Sequence, residues 1–245
     1  MKAMVTIVAT VATIFLVTGA LQAEIVSWTG ASGVAPWDAS VPADQRFTLF
    51  GDSSFATMQV GHFNIADTVT ASAVNVLKDD LPLISADAQF AFQVRLRVNA
   101  HARSILDWGA YSGMRGGGWL VGIIVSHDGV GFSGDSANSY VDGLFSSLDT
   151  TDEFHNYLVV RTVNSVALYI DGSSVAAISA PLTHFQPTTE NVFRLATSSN
   201  RGTSDFDIES FAYNLQGTTV PEPATMSLLA LGLGALASRR RRRGR

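Results

Sequence analysis

Apolar and polar residues alternate along much of the chain, and this alternation predicts β-strands with one buried face. The clearest run covers residues 89–98, in which every second position holds Phe, Val or Leu and the positions between hold Gln, Ala or Arg. No stretch between residues 24 and 216 shows the 3.6-residue period of an amphipathic helix. We therefore predict strands at residues 46–50, 55–60, 68–76, 89–98, 119–125, 155–163, 166–170, 174–178, 191–197 and 206–213.

Short turns join three of these strands in direct succession. Asn164-Ser165 and Asp171-Gly172 lie between the three strands of residues 155–178. Asp-Gly favours a tight hairpin because the turn needs positive φ at its central residues. Many strands separated by turns, without crossover helices, predict an all-β fold: a two-sheet antiparallel jelly-roll sandwich over residues 24–216.

The N-terminus has the pattern of a secretory signal peptide. Lys2 precedes an apolar run at residues 5–17, and small residues lead to a cleavage point after Ala23. The apolar run is short for a hydrocarbon core of ~30 Å, which disfavours a permanent anchor. We predict that residues 1–23 are a signal peptide and that the rest of the chain is exported.

The C-terminus has three consecutive parts. A linker at residues 217–223 ends in Pro221-Glu222-Pro223, an apolar stretch covers residues 224–238, and residues 239–245 are almost all arginine. Fifteen helical residues at ~1.5 Å each extend about 22 Å, so residues 224–238 predict a short, marginal transmembrane helix. Positively charged flanks stay cytoplasmic, which leaves the linker and the sandwich on the outer side. The orienting residues are Arg239, Arg240, Arg241, Arg242 and Arg243.

Charge is unevenly distributed along the chain. The 16 Lys and Arg against 21 Asp and Glu give a formal net charge of −5. Residues 24–220 hold 9 basic and 20 acidic residues, a net −11, whereas residues 221–245 carry +5. An acidic central region argues against nucleic-acid binding, which depends on Lys and Arg. The absence of cysteine excludes disulfide scaffolds, Cys-ligated zinc, thiol catalysis and iron–sulfur chemistry.

The ordered set at the C-terminus resembles the PEP-CTERM sorting signal of Gram-negative bacteria that make exopolysaccharide. The Pro-Glu-Pro tripeptide, the short Leu/Ala/Gly helix and the arginine cluster occur together with a signal peptide. The resemblance implies transient anchoring in the inner membrane, cleavage near the tripeptide by an exosortase, and a final location at the cell surface or outside the cell. The residues that the exosortase would recognise are Val220, Pro221, Glu222 and Pro223.

A second resemblance is to laminin-G-like, concanavalin A-like domains. It rests on the strand that begins at His155, the strand ending in Leu168-Tyr169-Ile170-Asp171-Gly172, and the closing strand at residues 207–214. Phe154 stands where that family usually has Trp before the strand histidine. The resemblance implies the same jelly-roll sandwich that the alternation predicts.

Three carboxylates form the candidate catalytic group. Asp205, Asp207 and Glu209 lie two residues apart, so an extended strand places all three on one face. The arrangement resembles the Glu-x-Asp-x-Glu strand of β-glucan hydrolases, although the first position here is Asp. Since Phe206 and Ile208 would face the core, the same pattern also describes an ordinary solvated strand face.

A metal site is less well defined by the sequence. Several aspartates lie in a Gly- and Ser-rich stretch, and calcium binds carboxylates and loop carbonyls. Their spacing fits no EF-hand, loop aspartates are common in turns, and the five histidines are scattered. Calcium binding thus stays open, without a named ligand set. The aspartates concerned are Asp128, Asp135, Asp142, Asp149 and Asp152.

One aromatic cluster could contact a carbohydrate. Trp108 and Tyr111 precede a run of three glycines that ends at Trp119. Aromatic rings offer rigid contact area with a polar edge, but large aromatic residues are more often buried in the core.

The sequence therefore predicts an exported, exosortase-sorted surface or matrix protein whose sandwich binds or packs with exopolysaccharide or surface proteins. We expect no enzymatic activity. Two alternatives stay open: a secreted glycoside hydrolase that acts on β-glucan-type polysaccharide, and a structural matrix component without a ligand.

Overall fold

The computed structural model describes residues 25–67, 74–99, 109–133, 140–197 and 204–215, and this part of the chain is built from strands. Within it, short 3-10 helices occur at Gly30–Ser32, Ser53–Phe55 and Leu182–His184. The strands are β1 (Ile25–Thr29), β2 (Thr48–Phe50), β3 (Ala56–Met58), β4 (Phe63–Asp67), β5 (Asn75–Lys78), β6 (Phe90–Val98), β7 (Ala110–Gly116), β8 (Trp119–Ser126), β9 (Gly129–Ser133), β10 (Tyr140–Ser147), β11 (His155–Arg161), β12 (Ser165–Ile170), β13 (Ile178–Pro181), β14 (Gln186–Pro187), β15 (Val192–Thr197) and β16 (Ser204–Asn214).

The strands form two antiparallel sheets. Sheet A has the order β13-β12-β11-β6-β16-β4-β3, and β1 also pairs with β16. Sheet B has the order β10-β9-β8-β7-β15-β5-β2, and β14 also pairs with β8. The first and last strands of the sandwich are therefore neighbours. The predicted all-β, two-sheet antiparallel fold is confirmed.

The core between the sheets is rich in aromatic side chains. Phe193 of sheet B lies 5.9 Å from Phe92, 5.7 Å from Phe211 and 5.1 Å from Tyr213, measured between ring centroids. These three partners belong to sheet A, and Phe47 adds an edge contact to Phe193 at 6.3 Å. Such large buried rings account for much of the apolar area removed from water.

Strand β16 contains a β-bulge at Glu209. Ile208 and Ser210 pair with consecutive residues of β6, so Glu209 is the extra residue of the strand. Before the bulge, Phe206 and Ile208 face the core; after it, Phe211 does so three residues later. The bulge shifts the alternation by one and keeps apolar side chains inside at both ends of the strand.

The predicted strands differ from the structure in definite places. The predicted strand at residues 174–178 begins only at Ile178, and the residues before it form a turn in which Val175 is 74% exposed. Residues 68–73 of another predicted strand lie outside the described residues. Six strands were not predicted, because they are short or because Gly and Ser interrupt the alternation, as in AYSGMRG and GVGFS. They are β1, β4, β7, β9, β10 and β14.

The predicted signal peptide, linker, membrane helix at 224–238 and arginine tail also lie outside the described residues. In the part that the structure describes, no helix has the length and apolar character needed to cross a membrane.

Arg161 connects the two sheets at one end of the sandwich. It is fully buried at the end of β11, where its guanidinium donates to the carbonyl oxygens of Ala86 (2.6 Å) and Gly117 (3.2 Å). Its charge lies over the ring of Phe90, with Cζ 5.2 Å from the centroid. A Cβ atom at Gly117 would approach a terminal nitrogen of Arg161 to 2.3 Å, so the close backbone contact requires glycine there.

We predict that Arg161→Met lowers the free energy of unfolding by about 2 to 4 kcal/mol, because it leaves buried carbonyl groups without their charged donor. Urea unfolding of the full chain in detergent measures the loss. The matched control is Arg95→Met, since Arg95 is 41% exposed and paired on the surface with Glu209; its cost should stay within about 1 kcal/mol. Equal losses in the two variants would contradict a special role for Arg161.

Candidate functional site

The predicted catalytic carboxylates lie on the outer face of sheet A. Asp207 is almost fully buried there and accepts hydrogen bonds from Arg97 Nη2 (2.8 Å) and Asn64 Nδ2 (2.9 Å). His62 Nε2 lies 3.5 Å from the same carboxylate. Asp207 is therefore held by neighbouring strands through side chains that are far away in sequence.

The other two carboxylates also have partners. Asp205 accepts from Asn64 Nδ2 at 2.8 Å and from Asn99 Nδ2 at 2.6 Å. Glu209, the bulged residue, forms an ion pair with Arg95. The structure thus brings the three predicted residues together on one face, where each is bound to an amide or a guanidinium group.

Phe154 covers part of this acidic cluster. The Cζ atom of Arg97 lies 5.0 Å from the centre of the Phe154 ring and that of Arg95 lies 6.0 Å from it. The ring of His62 lies 5.8 Å away in a tilted orientation. The aromatic ring limits the freedom of both arginines that neutralise the carboxylates.

A second polar group surrounds His155 at the start of β11. The imidazole is 4% exposed, its Nδ1 lies 2.7 Å from Asp171 Oδ2, and its Nε2 lies 3.0 Å from Asp152 Oδ1. Both neighbours are carboxylates, which accept hydrogen bonds when ionised, so the two contacts favour the imidazolium, in which both ring nitrogens donate. Burial alone lowers the pKa of His155, but the hydrogen bonds and charges of Asp171 and Asp152 outweigh it and raise the pKa.

The donor atoms around His155 indicate which metal this second group could bind. Asp152, Glu153 and His155 each offer one ligand atom, and these atoms lie within 4.8 Å of one another. Calcium takes six to eight oxygen ligands, whereas a nitrogen with two carboxylates suits zinc or a similar metal. The group therefore fits calcium poorly, and a metal would have to displace a proton from His155 Nε2.

The remaining predicted aspartates do not join this group. Asp128 Oδ1 accepts from Ser126 Oγ at 2.8 Å, and Asp149 Oδ1 accepts from the backbone and hydroxyl of Thr151. Asp135, as well as the side chain of Asp142, lies outside the described residues. The described aspartates mostly bind neighbours within the same loop, as in ordinary turns.

The predicted aromatic contact residues lie in different environments. Tyr111 is on the outer face of sheet B and only 5% exposed. Trp119 is half-buried and packs against the core between the sheets. Trp108 lies outside the described residues. Tyr111 and Trp119 therefore do not present one joint aromatic surface.

Two arginines near Tyr111 were not identified from the sequence. Arg194 of β15 pairs in register with Gly113 of β7, and its Cζ atom lies 5.7 Å from the centre of the Tyr111 ring. Arg115 forms an ion pair with Glu190 on the same face. Burial raises the pKa of Tyr111, against the opposing effect of both guanidinium groups, and burial lowers the pKa of Arg194. The alternation of Arg194 with apolar residues in β15 was the available sequence signal.

Comparison with known proteins identifies a sorting motif at the C-terminus. Residues 219–243 match the PEP-CTERM protein-sorting motif. This motif marks exported proteins that an exosortase processes at the membrane and that are then displayed at the surface. The predicted sorting signal and location are confirmed. No curated protein matches the chain in sequence.

The sandwich is similar to solved lectin structures. Peanut lectin matches with a TM-score of 0.51 and 16% identity, over 78% of this chain and 97% of the lectin. The exoplasmic/lumenal domain of VIP36 in its metal-free form matches with a TM-score of 0.50 and 10% identity, over 82% of this chain and 94% of that domain. Its Ca²⁺/Man2-bound form matches with a TM-score of 0.50 and 10% identity, over 81% and 90%. These similarities confirm the predicted concanavalin A-like fold.

We predict that protonated His155 stabilises the fold. Because its pKa is raised above the ordinary 6.5, this contribution is complete below about pH 6.5 and is lost as pH rises through the raised value. Urea unfolding between pH 5.5 and 9 should show this decline in the wild-type chain and not in His155→Gln. The exposed His184 gives the control His184→Gln, which should follow the wild type. A parallel pH dependence in wild type and His155→Gln would contradict the assignment.

Proposed function

We propose that this chain is an exported surface protein whose β-sandwich binds polysaccharide outside the cell. The proposal rests on one combination: a PEP-CTERM motif at residues 219–243 follows a sandwich of lectin type. The motif supplies the location, and the sandwich supplies two outer sheet faces on which polar side chains are held in place. An exosortase and, transiently, the inner membrane are its first partners.

The order of the segments gives the direction of export. Residues 1–23 direct the chain to secretion, and Arg239 to Arg243 keep the C-terminal end in the cytoplasm. Cleavage near Pro221-Glu222-Pro223 then separates the sandwich from its membrane segment. The exported part, residues 24–220, carries a net −11 and is freed from the arginine cluster.

Similarity to lectins supports carbohydrate as the ligand. One matching form of VIP36 was solved with Ca²⁺ and Man2 bound, and peanut lectin shares the same architecture. Exopolysaccharide is the carbohydrate that a surface protein of this kind meets first. Surface proteins are the second class of partner, and a structural matrix role without a ligand is the alternative.

The state of the acidic cluster favours binding over hydrolysis. A retaining glycosidase needs one carboxylate free to attack and one carboxylic acid that donates a proton. Here Asp205 is bound to two amides, Asp207 to a guanidinium and an amide, and Glu209 to a guanidinium. We therefore propose a protein without hydrolase activity, and keep a β-glucan hydrolase as the alternative.

We propose no cofactor for this chain, and calcium binding stays open. The donor atoms of Asp152, Glu153 and His155 suit another metal better, and the proposed glycan binding requires no step through a metal.

We predict that replacing Pro221, Glu222 and Pro223 by alanine blocks sorting. In a host that contains an exosortase, the variant should accumulate in the membrane fraction as residues 24–245, with the C-terminal segment still attached, while the wild type is cleaved near residue 221. Intact-mass analysis of both fractions measures the difference. A matched control replaces Gln216, Gly217 and Thr218, which precede the motif, by alanine and should be processed normally. Cleavage of the triple variant at the wild-type rate would refute the assigned recognition residues.

We predict that the full chain binds polysaccharide without cleaving it. Saturable binding to an array of β-glucans, mannans and polyuronates should occur with a Kd between about 1 µM and 1 mM, or about −8 to −4 kcal/mol. Reducing-end assays on the same glycans should detect no product. Product that disappears in Asp205→Asn/Asp207→Asn/Glu209→Gln would instead establish the hydrolase. Absence of binding to every glycan would favour the structural role.

A further inference from the structure

The side chains of Tyr111, Arg115 and Arg194 lie close together on the outer face of sheet B. Tyr111, Gly113 and Arg115 follow one another on this face of β7, two residues apart. Arg194 of the neighbouring strand β15 lies directly opposite Gly113. Diagonal neighbours in an antiparallel pair are roughly 7 to 8 Å apart, which long side chains span easily. Arg194 is therefore within reach of both Tyr111 and Arg115.

Glycine makes room for this arrangement. The Tyr111 ring leans over Gly113 and Gly122, because a Cβ atom at either position would come within 2.2 Å and 2.6 Å of its hydroxyl oxygen. The hydroxyl thus lies over β7 and β8, displaced along β7 from Tyr111 towards Arg115. The phenol is protonated at neutral pH, because its ordinary pKa is 10.0 and burial raises the pKa further, so it can donate a hydrogen bond.

The site holds more positive than negative charge. Glu190 is 53% exposed and pairs with Arg115, which uses one terminal nitrogen for this contact. Among the described residues Arg194 has no carboxylate within ion-pair distance, and the Nε atoms of Arg115 and Arg194 are buried without a hydrogen-bond partner. A buried donor without a partner is costly, and an anionic acceptor would satisfy it.

We propose that Tyr111, Arg115 and Arg194 form a recognition site for the carboxylate group of an acidic saccharide, an inference that rests on the proposed polysaccharide binding. Guanidinium groups bind carboxylates through paired hydrogen bonds, and the tyrosine hydroxyl supplies a further donor. Arg115 is only 21% exposed and Arg194 is half-buried, so both charges lie in a partly dry setting that strengthens such contacts.

The acidic character of the whole domain does not prevent the binding of a carboxylate at this site. The net −11 of residues 24–220 acts over long distances, where salt at 0.15 M screens it beyond about 8 Å. At hydrogen-bond distance the two guanidinium groups dominate. The site therefore recognises a carboxylate at short range, and the long-range field of the domain adds little to that contact.

The test measures binding of the full chain in detergent, at 0.15 M salt, to polygalacturonate, neutral dextran, dextran sulfate and polyglutamate. We expect polygalacturonate to bind more tightly than the other three. Arg194→Gln should weaken polygalacturonate binding roughly 10-fold, and Tyr111→Phe roughly 5-fold, through loss of a charged and a neutral hydrogen bond. Neither change should alter binding to neutral glycans.

The matched control is Arg95→Gln, which removes the same charge from the outer face of sheet A and should leave polygalacturonate binding unchanged. Near-ultraviolet circular dichroism confirms folding of each variant, and Tyr111→Phe keeps the ring in place should Arg194→Gln fail to fold.

Six results would overturn the inference. Equal losses of affinity in Arg95→Gln and Arg194→Gln would show that only the net charge of the domain matters. Wild-type affinity in both Arg194→Gln and Tyr111→Phe would show that these residues do not bind the saccharide. Equal or tighter binding of polyglutamate would exclude saccharide specificity, and tighter binding of dextran sulfate would exclude carboxylate preference. Binding to neutral glycans without preference for polygalacturonate would leave the proposed function standing, whereas binding to no glycan at all would end both.

Discussion

The contacts of Phe193 with Phe92, Phe211 and Tyr213 join the two sheets, and the rest of the structure depends on them. A strand has only two faces, so a side chain committed to this core determines which residues point outward. Arg97 and Asp207 meet on the outer face because their neighbours Val98 and Phe206 are buried between the sheets. The polar networks are thus a consequence of how the core packs.

Two strands depart from the simple alternation of buried apolar and outward polar side chains. The bulge at Glu209 restores inward aromatic residues after it and places one extra carboxylate beside Arg95. Strand β11 is regular but buries an ionisable side chain at each end, His155 and Arg161. The two imidazole nitrogens contact the carboxylates of Asp152 and Asp171, and the terminal nitrogens of the guanidinium donate to backbone carbonyl oxygens. Strand β11 thus carries a buried basic side chain at each of its ends, and each is held by polar contacts.

The two outer faces differ in how their charges are balanced. On sheet A every member of the acidic cluster has a cationic or amide partner. On sheet B, Glu190 pairs with Arg115, Arg194 has no ion-pair partner among the described residues, and the Tyr111 ring fills the space over two glycines. A domain of net −11 therefore carries a local cationic spot on one face. For a protein displayed outside the cell, the balanced face suits stability and the unbalanced face suits a ligand.

The cellular location of this protein and much of its architecture follow from the sequence alone. The sorting motif is contiguous and short-range, so Pro221-Glu222-Pro223 and its neighbours could be recognised without any fold. Strands such as β6 and β11 also followed from alternation, because one buried face imposes a period of two on local sequence. Strands such as β7 and β9 were not predicted, because Gly and Ser interrupt the alternation of apolar and polar residues.

The contacts between side chains that are distant in sequence become visible in the tertiary structure. Asn64 reaches Asp205 and Asp207 across more than 140 positions of sequence, and Arg194 reaches the Tyr111 ring from a strand that is adjacent only after folding. Sequence spacing placed Asp205, Asp207 and Glu209 on one face but gave no sign of their partners. The pairing of distant strands is fixed by which arrangement best fills the core, a property of the whole chain that no local pattern contains.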